Sequence, residues 1–287
     1  MNLLLLSARP EDVAFVRTVA GFARANMIPI DSIEKLAVAV TADPQTTIFW
    51  DADRHDASTS LGGVFPEAIV TAACKGKIPP ARIWALTEKL CSEMPGGLAT
   101  PEKAEQPVFH HNIVRRYSAG LPGIIGRLVR QAHDGESPAF EEYFPPDTAV
   151  QRIQLPDSSK RRPAVDAVQS FLGKMGADSR IAAKVAQSCD EMMMNAIFDA
   201  PRDRDGRAVR NSLDRNAEFS FVQGEKVELL FANSTDFSGF CVSDIYGSVI
   251  VETILKYLWQ IFLQADYRVR KASPGAGLGL YEIIQYG

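Results

Sequence analysis

The sequence predicts an α/β protein built from two unlike domains. Three observations predict it. Short apolar runs alternate with helix-patterned segments over roughly the first 115 residues. A stretch rich in Gly and Pro then breaks the pattern. Beyond it, two amphipathic helix patterns run into neighbouring strand candidates. Strand–helix alternation with short connections implies a parallel sheet covered on both faces, with its chemistry gathered where strands end at their carboxyl side.

The elements follow in order. "NLLLLS" (2–7) is an unbroken apolar run of strand length, and "PEDVAFVRTVAGFARAN" after it has apolar residues at helical spacing. "MIPIDSI", a helix-like "IEKLAVAVT" and the strand "TTIFWDAD" (46–53) come next. "PEAIVTAACKG" reads as helix, "ARIWALT" (81–87) as strand and "QPVFHHNIV" (106–114) as a last strand. Residues 1–116 form the first predicted domain. The Gly- and Pro-punctuated stretch 117–160, with "IIGRLVRQAHDG" as a connecting helix, is expected to be a linker. The second domain, 161–287, starts with the helix "AVDAVQSFLGKMG", ended by Gly176. A longer one, "DSRIAAKVAQSCDEMMMNAIFDA", follows, with Asp178 or Ser179 as N-cap. A charged loop (201–216) leads to strand candidates "EFSFVQ", "KVELLFANS" and "GFCVSDI", then a helix over 249–263 and another over 278–286.

Composition narrows the function classes. Of the 287 residues 46% are hydrophobic and 23% charged, the balance of a soluble globular chain. A net charge of −4 argues against general nucleic-acid binding, and the adjacent Lys160, Arg161 and Arg162 read as a solvated stretch. Cys74, Cys91, Cys189 and Cys241 lie far apart with no CxxC pair, which fits reduced thiols rather than a disulfide framework or zinc site. The opening "MNLLLLSARPED" lacks the basic flank of a signal peptide, and the 249–263 run is interrupted by Glu252 and Lys256 and too short to span a bilayer. A cytoplasmic protein with no membrane partner is expected.

Three stretches of the second domain carry candidate chemistry. In "CDEMMMNAIFD", Glu191 and Asn195 stand four apart, so a carboxylate and a carboxamide share one helix face. An amide oxygen suits Mg²⁺, and a nearby carboxylate suits a general base. In "VSDIYGSV", Asp244 ends a strand and Gly247 opens the next turn; a carboxylate there accepts from an exocyclic amine, and glycine lets backbone approach a flat ring. In "SPGAGLGLYEII", Gly275, Gly277 and Gly279 lead into a helix, where backbone N–H groups and the positive dipole end face an anion. Each stretch alone also fits a polar helix stripe, an Asp–Gly turn or a flexible loop.

Taken in order, E-x-x-x-N, D-x-x-G and G-x-G-L-G-L resemble the N, G1 and G2 boxes of the GHKL ATPases, the superfamily with the Bergerat α/β-sandwich nucleotide fold. It includes histidine kinases, anti-sigma-factor serine kinases and gyrase. The resemblance covers roughly 163–287. It implies ATP and Mg²⁺ as cofactors, with Asn195 holding the metal against the phosphates, Asp244 reading the adenine amine and Gly247 bordering the base. Gly275, Gly277 and Gly279 would shape a lid over the phosphates, Lys271 would approach the γ-phosphate, and Glu191 would be the catalytic base. The chain departs from the family in having Tyr246 and Ser248 around a single Gly247 where D-x-G-x-G is usual. It also stops at Gly287, where the fold normally continues into another strand, through either truncation or a shortened sheet. Two helices leading directly into the N box resemble the serine-kinase branch, which implies a sigma-factor-like or antagonist-like regulatory protein as partner; a homodimer stays open. None of His110, His111 and His133 lies in a histidine-kinase phosphoacceptor motif, and His133 is the best placed. Nucleotide binding without turnover and a divergent histidine kinase are the competing readings.

The order of elements in 1–115 resembles a response-regulator receiver, a flavodoxin-like domain. The resemblance makes Asp51, at the end of the third strand, a possible phosphoacceptor, with Thr87 ending the fourth. Two receiver features are missing. Ala8 and Arg9 stand where an acidic pair should follow strand one, and "VFHHNIVRR" has no Lys-Pro after strand five. Glu11 and Asp12 come later, at a helix start, where the dipole alone would favour them. A pseudo-receiver is expected, one that interacts rather than accepting phosphate.

Overall fold

The computed structural model describes residues 1–53, 82–88, 111–136 and 138–248. The chain forms two compact units, Met1–Pro146 and Asp147–Gly287. It is a mixed α/β protein.

The first unit is built on five parallel strands: β1 (Asn2–Leu6), β2 (Asn26–Pro29), β3 (Thr47–Asp51), β4 (Ile83–Thr87) and β5 (His111–Val114). They lie in the order β2-β1-β3-β4-β5, and every described pairing is parallel. Apolar residues run through β1, β3 and β4 without polar alternation because both faces of the sheet are covered; Leu3, Leu4, Leu5, Ile48, Phe49, Trp50 and Leu86 are all at most 1% exposed. Each such side chain contributes roughly 1.5–3 kcal/mol on burial.

Helix α1 (Pro10–Ala23) starts with proline at its first position, where the missing N–H costs nothing, and ends at Arg24 in the left-handed region (φ 53°). Helix α2 (Ile33–Ala42) is capped by Ser32, whose hydroxyl accepts from the Lys35 amide. Helix α3 (Leu121–Asp134) packs on α1; its Ile124, Ile125, Leu128 and Val129 share a core with Phe15, Val16 and Val19. The two helices come close because α3 carries glycine at the contact. A Cβ on Gly126 would lie 2.5 Å from the Phe22 Cβ and 2.9 Å from the Val19 carbonyl oxygen. Gly126→Ala is therefore expected to force the pair apart and to destabilise the first unit by about 1–3 kcal/mol in urea unfolding.

The second unit contains strands β6 (Val150–Leu155), β7 (Val227–Asn233) and β8 (Ser238–Asp244) in one antiparallel sheet of order β6-β7-β8. Helices α4 (Arg161–Lys174) and α5 (Ser179–Met194) pack on the face that carries Val227, Leu229 and Phe231, through Val168, Phe171, Leu172, Cys189 and Met193. Asp178 is the N-cap of α5, accepting from the Arg180 amide at 2.8 Å. Arg161, expected in a solvated stretch, opens α4 and pairs with Asp190 at 2.6 Å.

The stretch 117–160, expected as a linker, is divided between the units. Its helix is α3, packed into the first core, and its last residues supply β6 to the second sheet. The expected strand "EFSFVQ" forms no strand of the sheet among the described residues; it makes an isolated bridge, Asp157 to Ser220, with hydrogen bonds between Ser158 and Phe219 beside it. Among the described residues no helix is long and apolar enough to cross a membrane. The helices expected at 249–263, 278–286 and in "PEAIVTAACKG" lie outside the described residues.

Candidate functional site

In the second unit, α5 does not stop at Met194 but widens into a π-helical turn, Asn195–Asp199, closed by the Ala200 amide donating to the Asn195 carbonyl at 2.7 Å. Such turns are rare and tend to occur at functional positions. The widening lets Ala196, Ile197 and Phe198 all be buried. Asn195 sits half-buried at the switch, one turn beyond the half-buried Glu191, and its carboxamide has no hydrogen-bond partner among the described residues.

The π-turn and α5 both pack against β8, whose last residue is Asp244. The Asp244 Oδ1 accepts from the Tyr246 amide at 2.6 Å and the Gly247 amide at 3.2 Å, which fixes the turn after the strand. Its Oδ2 has no hydrogen-bond partner among the described residues. Gly247 has φ +58°, a conformation that L side chains rarely adopt. Asn195 and Asp244 thus stand on elements that touch, with no hydrogen bond between the two. Gly275, Gly277, Gly279 and Lys271 lie outside the described residues.

In the first unit, the carboxyl ends of β1, β3, β4 and β5 converge on a buried ion cluster. Its centre is Arg115, directly after β5, with a side chain 4% exposed. Its Nε donates to Asp12 Oδ1 at 2.8 Å and its Nη2 to Asp12 Oδ2 at 2.9 Å. Nη2 also donates to Asp51 Oδ1 at 2.6 Å, and Nη1 to Asp53 Oδ2 at 2.5 Å. The other oxygens are met as well. Asp51 Oδ2 accepts from Arg9 Nε at 3.1 Å, and Asp53 Oδ1 from the Thr87 hydroxyl at 2.7 Å. Asp12 accepts further from the hydroxyls of Ser7 and Tyr117 at 2.6 and 2.7 Å. All six carboxylate oxygens are engaged.

Burial alone would push the Asp12 carboxyl up, but the hydrogen bonds from Arg115, Ser7 and Tyr117 outweigh it and hold it below the usual carboxylate range. Burial likewise opposes the charge on Arg115, yet Asp12 and Asp51 leave its pKa raised. Tyr117, stacked on Phe15 with centroids 4.0 Å apart, is pushed up by burial and by its bond to Asp12. Because its folded-state pKa lies below the ordinary 3.8, Asp12 gives stability that is fully present above that value and lost as pH falls through the folded pKa. Urea unfolding at several pH values is expected to show wild type and Asp12→Asn far apart at pH 7 and converging in acid below about pH 4.

Asp51 and Thr87 stand at strand ends as the sequence pattern predicts, but the two residues that organise them, Asp12 and Arg115, are not marked by it. Asp12 does more at the helix start than meet the dipole: its side chain is fully buried against Arg115. The expected gap after strand five is filled by arginine. The available signal was "NIVRR", a cation one residue past a strand end. Of the histidines, His111 stacks on Trp84 with centroids 3.8 Å apart, His133 lies beside Asp134 on α3, and His110 is outside the described residues. Cys189 is buried, which pushes its thiol up to about 12, away from reactivity. Among the described residues no group of three or more His, Cys, Asp and Glu is arranged to hold a metal ion.

Comparison of the chain with protein-family models, curated proteins and solved structures gives no match.

Proposed function

We propose that the chain is a signal-transduction protein whose second unit is a GHKL-type site for ATP with Mg²⁺ and whose first unit is a receiver-like module that works without phosphorylation. The observation that carries this is the pairing of elements around the π-turn. Asn195 begins that turn and Asp244 ends the strand it packs against, and among the described residues the Asn195 carboxamide and the Asp244 Oδ2 have no hydrogen-bond partner. Two helices over one face of an antiparallel sheet agree with the α/β sandwich that the sequence resemblance implies.

The donor set suits the ligand. A carboxamide oxygen is a hard donor of the kind Mg²⁺ takes together with substrate phosphates, and Asn195 would supply it. Asp244 Oδ2 would accept from the exocyclic amine of adenine, and the backbone at Gly247 would allow close approach of the ring. The metal, when bound, neutralises phosphate charge. Glu191, one turn before Asn195, would take the proton of an attacking hydroxyl if the site transfers phosphate to a partner protein of the sigma-factor-like or antagonist-like regulatory kind. For the first unit, the strand order 2-1-3-4-5 is that of flavodoxin-like sheets, and the cluster lies at their ligand-binding edge.

Titration of a fluorescent ATP analogue in the presence of Mg²⁺ tests this. Wild type is expected to bind, and Asn195→Ala to bind at least about tenfold more weakly, as for a lost hydrogen bond or ligand to a charged group. Absence of binding by wild type, or an unchanged Kd in the variant, overturns it.

A further inference from the structure

Pro201, which has no N–H, follows the π-turn, so the carbonyls of that turn meet a helix end short of intrahelical donors. The carbonyl of Ile197 belongs to a residue 0% exposed, where a backbone acceptor needs a partner from the protein itself. Arg210, from the loop 201–216, donates to it through Nη1 at 3.3 Å. The same guanidinium is held from behind by Glu225, just before β7, whose side chain is fully buried. Both Nη atoms of Arg210 donate to that carboxylate, Nη2 at 2.7 Å, and the Val222 amide donates to its Oε2 at 3.0 Å. The guanidinium also lies over Phe219, 4.8 Å from the ring centroid. A second arginine of the loop grips the next two residues. Arg215 Nη2 donates to Asp199 Oδ1 at 2.8 Å, and its guanidinium lies 5.2 Å from the Phe198 ring centroid. Three consecutive residues of the turn are thus held by one segment of chain, 210–215.

We infer that Arg210, backed by Glu225, is a positioning residue that locks the π-turn and so fixes the Asn195 carboxamide for the metal; this rests on the ATP reading of that site. In a regular α-helix the Asn195 carbonyl takes the amide four residues on, that of Asp199. Here it takes the Ala200 amide, one residue further. The wider ring leaves Asn195 half-buried at the rim of the turn while Ala196, Ile197 and Phe198 are buried. Such turns are rare within helices, and the bonds from Arg210 and Arg215 favour this one over the regular form. Arginine suits the task because its planar fork meets the carboxylate with two bonds and keeps a donor for the carbonyl. A change at Arg210 therefore acts on the metal ligand. It does not act on Asp244, which the amides of its own turn orient.

The test titrates a fluorescent ATP analogue into wild type, Asn195→Ala, Arg210→Lys and a double variant, Arg210→Met with Glu225→Met. Each is measured with Mg²⁺ and with EDTA, and thermal unfolding is followed in parallel. Wild type is expected to bind about tenfold more tightly with Mg²⁺ than with EDTA, and Asn195→Ala to lose that gain. Both Arg210 variants are expected to lose most of it as well, with affinity in EDTA within about twofold of wild type. The double variant leaves no buried charge unpaired, so its Tm is expected to stay within about 5 °C of wild type. Arg210→Lys keeps a charge opposite Glu225 but not the fork, and it supplies the reading if the double variant does not fold. A role in folding alone would lower Tm and weaken binding equally with and without Mg²⁺, and that result overturns the inference. A full Mg²⁺ gain in the Arg210 variants also overturns it, and the ATP site stands if Asn195→Ala has lost the gain. If wild type binds no nucleotide, or Asn195→Ala keeps the gain, the ATP reading falls and this inference with it.

Discussion

Replacing Arg115 with alanine is expected to destabilise the first unit by about 3–5 kcal/mol, a loss read directly in urea unfolding at pH 7. The magnitude follows from what remains. Asp12, Asp51 and Asp53 have side chains 0%, 5% and 14% exposed, and without the guanidinium three carboxylates face one another with only Arg9, a third exposed, nearby. Removing one partner of a buried pair leaves uncompensated charge, which is far costlier than losing a surface bridge worth about 0–1 kcal/mol. Arg115→Lys keeps the charge but not the fork that reaches three acids at once, and its loss should fall between wild type and alanine. A loss under about 1 kcal/mol for Arg115→Ala would show the cluster behaving as a solvated one.

The second large effect is an absence of reaction. Wild-type protein incubated with Mg²⁺ and a small-molecule acyl phosphate is expected to acquire no phosphoryl group at Asp51, measured by intact mass and by acid-stable versus hydroxylamine-labile label. A carboxylate attacks phosphorus through a free lone pair, and three of the four acceptor sites of Asp51 are taken, the remaining one on Oδ2 lying beside the Arg9 guanidinium. Oδ1 accepts from Arg115 and from the Asp53 amide, and Oδ2 from Arg9. The neighbouring acids able to bind a divalent cation, Asp12 and Asp53, are committed to the same guanidinium. Near-stoichiometric label on Asp51 would contradict a phosphorylation-independent first unit.

The parallel sheet was legible because β1, β3 and β4 are unbroken apolar runs, buried and closed by turn residues. Strand β6 was not: Gln151, Arg152 and Gln154 are exposed on an outer strand, so "VQRIQL" shows little apolar pattern inside a Pro-flanked stretch. "EFSFVQ" alternates as a strand should, yet its phenylalanines serve another purpose, Phe219 and Phe221 both lying beside the Arg210 guanidinium. The acid cluster could not be foreseen from spacing, since Asp12 and Arg115 are separated by 103 positions and meet only once the strands are laid side by side. Asn195 and Asp244 were visible as residue types, but the widened turn between helix and loop has no sequence signature.

That widened turn sets the phase of everything downstream. An α-helix advances about 100° per residue, so the extra residue taken up between Asn195 and Asp199 rotates the following chain by about that amount relative to a regular helix. Pro201 and the loop that carries Arg210 leave the helix in the direction this rotation dictates. A one-residue deletion there would straighten the helix, shift the exit of the chain around its axis and swing Ile197 and Phe198, now 0% and 1% exposed, off the sheet they cover. The irregular turn thus acts as a key: insertions and deletions are tolerated in the loop beyond it far more readily than within it.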